Sequence, residues 1–180
     1  RSLKAKRLMS FILCLAMLLP LINVSATSEE KLYTDGQKIE AETAKLSNEM
    51  SFVIDVFTDA SANGYIAAKV GESNRIAKEP DAKINVMVKE SGIYDLWVRV
   101  YCPDIERTSF YASLGGSSLK TVIYTGTSRT WGWIKAIQGV YLEQGKNEVG
   151  FAYKFPDVRI DAFSVANCID KSFDPEMLSD

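Results

Sequence analysis

The fold is decided by the stretch INVMVKESGIYDLWVRVY, which spans residues 84–101. In residues 84–88, apolar side chains alternate with more polar ones, as they do in a strand with one buried face. The Glu90-Ser91-Gly92 motif is typical of a turn, and residues 93–101 are again rich in β-branched and aromatic side chains. The stretch therefore predicts two consecutive strands joined by a short turn.

Segments of the same kind continue along the chain without any helical periodicity. Turn signals such as Gly115-Gly116 and Pro156-Asp157 separate them. Together with residues 84–88 and 93–101, they predict about eight or nine short strands, and hence an all-β fold, an antiparallel sandwich or jelly roll. Among the further predicted strands are 110–114, 119–124, 133–142, 148–153 and 159–165.

The first 26 residues have the pattern of a secretory signal peptide. Four basic residues precede an apolar run over 8–22, and Val24-Ser25-Ala26 offers small residues for cleavage. The run is shorter than the roughly 18 apolar residues of a membrane span. We therefore expect a secreted, extracellular protein that has no membrane attachment after cleavage.

The rest of the chain divides by composition. We predict a polar, flexible lead-in at 27–37, one β-sandwich module at 38–168, and at 169–180 the start of a linker to a downstream region. Because the leader carries four basic and no acidic residues, its removal changes the formal net charge from −2 to −6. With no long basic cluster left, nucleic acid is a poor partner for this module.

The absence of histidine narrows the possible chemistry. The chain has no histidine (His 0) and only three cysteines (Cys 3). It therefore lacks Ser-His-Asp and Cys-His catalytic sets, His-based zinc sites and a four-cysteine zinc site. We therefore expect a segment that is not itself an enzyme. Any metal should be a hard cation held by oxygen atoms, such as calcium.

Export would permit a disulfide between Cys102 and Cys168. Both residues also suit small buried positions at strand ends, and we favour the unpaired state.

Three carboxylates are candidate ligands. In a strand, Glu40 and Glu42 would leave the same face with Cα atoms roughly 6.5–7 Å apart, and Asp161 lies in an otherwise apolar strand. Glu40 and Glu42 suit a glycosidase acid–base pair, the two together with Asp161 suit a calcium site, and all three could instead be exposed to solvent. The residues alone leave these alternatives open.

Aromatic residues near turns form a second candidate set. Trp131 and Trp133 follow a turn-like segment, and Tyr65 follows the loop signal Ala62-Asn63-Gly64. A flat aromatic side chain at a loop can stack on the apolar face of a sugar ring, whereas the same residues can also pack into the core. Both interpretations stay open at this stage.

The order of these motifs resembles carbohydrate-binding module families 6 and 35, which share a galactose-binding-like β-sandwich. The resemblance covers roughly residues 38–167, most of the chain after the leader. The segments that carry it are Glu40-Ala41-Glu42, Gly64-Tyr65-Ile66, residues 90–100, Ser109-Phe110-Tyr111, Trp131-Gly132-Trp133, residues 142–149 and Ile160-Asp161-Ala162-Phe163.

The resemblance implies a structural calcium and a sugar cleft. The metal ligands would be Glu40, Glu42 and Asp161. The cleft, at the loop end of the sandwich, would be lined by Tyr65 and by one of the two tryptophans, Trp131 or Trp133. The family often has Asn at the position of Arg159, so a guanidinium there would favour the carboxylate or sulfate of an acidic sugar.

These inferences give a functional hypothesis: a secreted, non-catalytic module that directs a polysaccharide-degrading catalytic domain of the same chain to its polysaccharide or oligosaccharide. The alternative is a structural or interaction sandwich that docks neighbouring domains or a protein partner and binds no sugar.

Overall fold

The computed structural model describes residues 32–47, 49–54 and 59–178, and this part of the chain is a two-sheet β-sandwich without α-helix. Three short 3₁₀ turns, Ala41–Thr43, Ser61–Asn63 and Pro175–Met177, interrupt the strands. The strands are β1 Tyr33–Thr34, β2 Ile39–Glu40, β3 Lys45–Leu46, β4 Met50–Ile54, β5 Gly64–Ala68, β6 Ala82–Val88, β7 Gly92–Tyr101, β8 Ser109–Leu114, β9 Lys120–Ile123, β10 Trp131–Leu142, β11 Gly145–Tyr153 and β12 Arg159–Asn167.

The strands form two sheets of six. One has the order β1-β6-β11-β8-β9, with β3 also on β6, and the other has the order β10-β7-β12-β5-β4, with β2 also on β12. The long strands pair antiparallel, and the short β1 pairs parallel with β6. The predicted fold class is confirmed, and the predicted strands from residue 84 onward correspond to β6–β12.

The period-2 pattern of the deciding stretch sorts its side chains between core and surface. On β7, Tyr94, Leu96, Val98 and Val100 are buried at 1% exposure or less. Burying such a side chain contributes roughly 1.5–3 kcal/mol. The alternate positions, Asp95, Trp97, Arg99 and Tyr101, consequently point to the outer face of the sheet. This outer face carries the candidate site.

Two segments outside the predicted module 38–168 contact its strands. Tyr33–Thr34, within the expected lead-in 27–37, is a sheet strand, and Tyr33 is buried. Residues 169–178, expected to start a linker, pack back on the outer face of β7, where the ring of Phe173 lies 6.1 Å from that of Trp97. In both places an aromatic side chain within a polar segment gains apolar contacts. The predicted signal peptide, 1–26, lies outside the described residues, and no helix among those described could span a bilayer.

Cys102 and Cys168 are both unpaired thiols. Cys102 directly follows the last residue of β7. The backbone N–H of Cys168 instead donates to the carbonyl of Ile93, the second residue of the same strand. Cys102 is nine residue steps along the chain from Ile93, which corresponds to roughly 30 Å of strand and is too far for a disulfide.

The two thiols should differ in reactivity. Burial raises the pKa of Cys102 to about 12. The pKa of Cys168 is also raised, by desolvation and by its contact with Asp95, but this residue is exposed to the reagent. In the native chain from Thr27 onward, we expect an aromatic disulfide reagent to titrate one thiol, and two after unfolding, because the thiolate is the reactive form. Rapid titration of two thiols in the native protein would contradict this placement.

Candidate functional site

A cluster of aromatic rings and guanidinium groups lies on the outer face of the second sheet. The ring of Trp131 is 5.8 Å from that of Tyr65 and 5.3 Å from that of Tyr101, centroid to centroid. The guanidinium carbon of Arg159 lies 5.0 Å from the Tyr65 ring and 4.8 Å from the Tyr101 ring. Arg99 is 5.5 Å from the Trp131 ring. All of these separations are within cation–π or aromatic contact range.

The Trp-Gly-Trp motif has a local structural cause. Alternation along β10 points Trp131 and Trp133 outward and Gly132 inward, where a Cβ would come within 2.6 Å of the Tyr124 hydroxyl. That hydroxyl lies 3.4 Å and 3.5 Å from the carbonyl oxygens of Thr127 and Thr130, and the Tyr124 ring is buried. The glycine thus makes room for a tyrosine that holds the loop leading to Trp131.

Tyr65 and Arg159 line a cleft of about 370 Å³ at one end of the sandwich. Its size is within the roughly 300–1,000 Å³ typical of small-molecule sites. Tyr65 is only 6% exposed and therefore forms part of the floor. The loops around the cleft contribute the polar residues Lys69, Glu72 and Asp157 and the apolar residues Val70, Pro103 and Pro156, and strand β4 contributes Val53.

Trp133 is separate from this cleft. It lines a different cavity of about 210 Å³, together with Arg99, Pro175 and Leu178. Of the four predicted sugar-binding residues, three, Tyr65, Trp131 and Arg159, therefore lie together, whereas Trp133 lines a cavity that it shares with C-terminal residues.

The predicted metal ligands come from different local structures. Glu40 is in β2, but Glu42 is in the 3₁₀ turn Ala41–Thr43, so the expectation that both leave one face of a strand is wrong. The chain leaves the extended conformation because Ala41 turns into the core, where it is fully buried. Asp161 is the extra residue of a β-bulge in β12, between Ile160 and Ala162.

Ser61 connects two of these carboxylates. Its backbone N–H donates to Asp161 Oδ1 at 2.8 Å, and its hydroxyl lies 2.9 Å from Asp161 Oδ2 and 2.5 Å from Glu40 Oε2. Arg99 also pairs with Asp161, and Lys38 Nζ is 3.2 Å from Glu40 Oε1. Asp161 itself is fully buried.

Of the three carboxylates, Glu42 has the fewest compensating hydrogen bonds and ion pairs. Its Oε2 is buried and has no hydrogen-bond partner. The pKa of Glu42 is raised from 4.5 to about 7, chiefly by burial and to a lesser extent by the charges of Glu40 and Asp161, while a backbone hydrogen bond and Lys38 act in the opposite direction. A nearby cation would favour the charged form. Within the described residues, however, no three acidic, histidine or cysteine side chains are arranged as a metal-binding group.

Three residues of this region were not predicted as site residues. Tyr101 and Arg99 occupy outward positions of β7, so the alternation of residues 92–101 carried a usable signal. Ser61 had no such signal, because its role depends on a loop that meets Asp161 from 100 residues away in the sequence.

Comparison with known proteins gives the fold an independent reference. No protein-family model matches the chain. It is 25% identical over 142 residues, or 79% of its length, to mannan endo-1,4-beta-mannosidase B of Piromyces sp. The match covers 22% of that protein, so the chain spans about a fifth of the curated relative.

Two solved structures are informative. The family 35 carbohydrate binding module from Clostridium thermocellum matches with a TM-score of 0.54 and 21% identity, over 72% of this chain and 98% of that one. The GH26-CBM35 β-(1,4)-mannanase of Podospora anserina matches with a TM-score of 0.55 and 17% identity, over 72% of this chain and 27% of that one. The matched modules are of family 35, so family 6 is not separately supported. The chain thus has the β-sandwich fold of family 35 carbohydrate-binding modules.

Proposed function

We propose that the chain is a secreted, non-catalytic module of family 35 type that binds a polysaccharide and directs an attached glycan-degrading domain to it. The observation that carries the proposal is the contact of Trp131 with Tyr65, beside the cleft that Tyr65 and Arg159 line. A ring platform flanked by polar groups suits a sugar, which has an apolar ring face and hydroxyls at its edge.

The charges around the cleft favour a neutral glycan as the first ligand to test. Lys69 and Arg159 are offset by Glu72 and Asp157, and Asp157 also lies 2.8 Å from Arg107. Arg159 itself is stacked on two tyrosine rings. The sequence relative and one structural relative are mannanases by name. We therefore propose β-1,4-mannan as the ligand, with acidic glycans for comparison.

A module without chemistry of its own gains a purpose from being tethered. Binding to the polymer keeps an attached catalytic domain at a high effective concentration of its substrate. Both the attached domain and secretion through residues 1–26 are part of the proposal.

We also propose that Glu40, Glu42 and Asp161 hold a structural calcium ion. The unpartnered buried oxygen of Glu42 supports this, as does its position near two further carboxylates. Carboxylate oxygens are the ligands that calcium prefers. Lys38 forms an ion pair with Glu40, and Arg99 forms one with Asp161. A bound ion would provide the corresponding positive charge for Glu42.

Binding to a glycan panel tests the function. We expect the protein to be retarded in native gels containing soluble β-1,4-mannan, and calorimetry to give one class of sites for mannotriose, the β-1,4-linked trimer. Pectin, xylan and alginate provide acidic and neutral comparisons. If none of these glycans binds to correctly folded protein, the interaction-domain alternative replaces the proposal.

A further inference from the structure

The three tryptophans of the chain lie in a row on the outer face of the second sheet. Trp131 and Trp133 are two residues apart on β10, roughly 6.5–7 Å along the strand. The next outward residue of β10, Lys135, is directly opposite Trp97 of β7, so Trp97 lies about one such step further on. The row begins at the proposed sugar cleft, where Trp131 contacts Tyr65.

Residues 169–178, here called the C-terminal segment, lie against Trp97 and border the cavity that Trp133 lines. The Phe173 ring lies 6.1 Å from Trp97. Pro175 and Leu178 line the same cavity as Trp133, and Pro175 is buried. The segment therefore occupies the surface along which the row of tryptophans would otherwise continue.

The segment is attached to the sheet mainly by these apolar contacts. Among the described residues, every hydrogen bond of residues 169–178 stays within the segment or goes to Asn167. At its ends it leaves Ile169 81% and Met177 80% exposed. Segments with few buried contacts open at low free-energy cost compared with the core.

We propose that Trp133 and Trp97 continue the glycan-binding surface beyond Trp131, and that the C-terminal segment is a strap that a long, linear polysaccharide displaces. This inference rests on the proposed function. A short oligosaccharide occupies the cleft at Trp131 alone and leaves the strap in place. A longer one reaches Trp133 and Trp97, but its affinity for this extended surface is the intrinsic affinity multiplied by the fraction of molecules in which these rings are uncovered.

Loosening the strap tests this directly. Phe173→Ala removes the ring over Trp97, and we expect at least fivefold tighter binding of mannohexaose, with mannotriose unchanged within twofold. Trp97→Ala added to Phe173→Ala should remove that gain. Met177→Ala, an exposed position of the same segment, is the matched control and should change neither affinity.

The alternatives are distinguishable. Equal affinity of wild type and Phe173→Ala for mannohexaose, or equal gains for both oligosaccharides, would overturn the strap and leave the proposed function standing. No binding of either oligosaccharide by wild type would contradict both the strap and the proposed function.

Should Phe173→Ala not fold, trypsin cleavage after Lys171 in the wild type provides the test. Mannohexaose should accelerate cleavage and mannotriose should not, whereas protection or no change with mannohexaose would contradict displacement.

Discussion

Replacing Trp131 with alanine is expected to weaken mannotriose binding by more than tenfold. Trp131 packs between the rings of Tyr65 and Tyr101 and completes the platform at the cleft. Loss of an aromatic anchor at the centre of a binding surface typically costs about 2 kcal/mol or more, which corresponds to over tenfold in the dissociation constant. Calorimetric titration measures the effect, and circular dichroism checks that the variant is folded.

Trp133→Ala is the matched control for this prediction. Trp133 is on the same strand and the same face, but it lines the cavity beneath Pro175 and Leu178. Mannotriose affinity should therefore stay within about twofold of wild type. Equal losses in both variants would show that the cleft at Tyr65 is not where the short oligosaccharide binds.

Calcium is expected to raise the melting temperature, and a chelator to lower it. An ion that binds only the folded state stabilises it by about 2.7 kcal/mol when its concentration is 100 times the dissociation constant. For a domain of this size, that corresponds to a shift of roughly 5–10 °C. Differential scanning calorimetry of demetallated protein, with and without added calcium, measures it.

Glu42→Gln should abolish this calcium dependence, because it removes a proposed ligand charge while keeping the shape of the side chain. In chelator, the same variant should be no less stable than wild type, since it replaces a buried carboxylate that has no hydrogen-bond partner at Oε2. Glu143→Gln, at an exposed position, should behave as wild type. If added calcium does not change the melting temperature of the demetallated wild type, the proposed metal site is wrong.

The sequence predicted the β6–β12 part of the fold well because these strands carry their own pattern. On β7, for example, buried and outward residues alternate over ten positions. The strands before β6 are only two to five residues long, too short for alternation to be seen. Their pairing is determined by neighbours far away in the sequence, such as Glu40 opposite Ala162.

The site was predictable as residue types but not as an arrangement. Tyr65 and Trp131 were identified by their positions after loops, yet no local signal distinguishes Trp131 from Trp133, which share a strand face. Their difference comes from the C-terminal segment, whose Pro175 lines the cavity at Trp133 and whose polar composition suggested a linker. Likewise, the β-bulge at Asp161 and the 3₁₀ turn at Glu42 are outcomes of tertiary packing.

The most direct test of the central claim uses the three tryptophans as separate reporters. The chain contains three tryptophans (Trp 3). A nitrogen–proton correlation spectrum of the folded protein should therefore show three indole signals, which single substitutions can assign. If mannotriose binds at the cleft beside Trp131, the Trp131 indole signal should shift during the titration until the site is saturated. The signals of Trp133 and Trp97 should stay nearly fixed. A spectrum in which Trp131 does not respond, although the oligosaccharide binds, would contradict it.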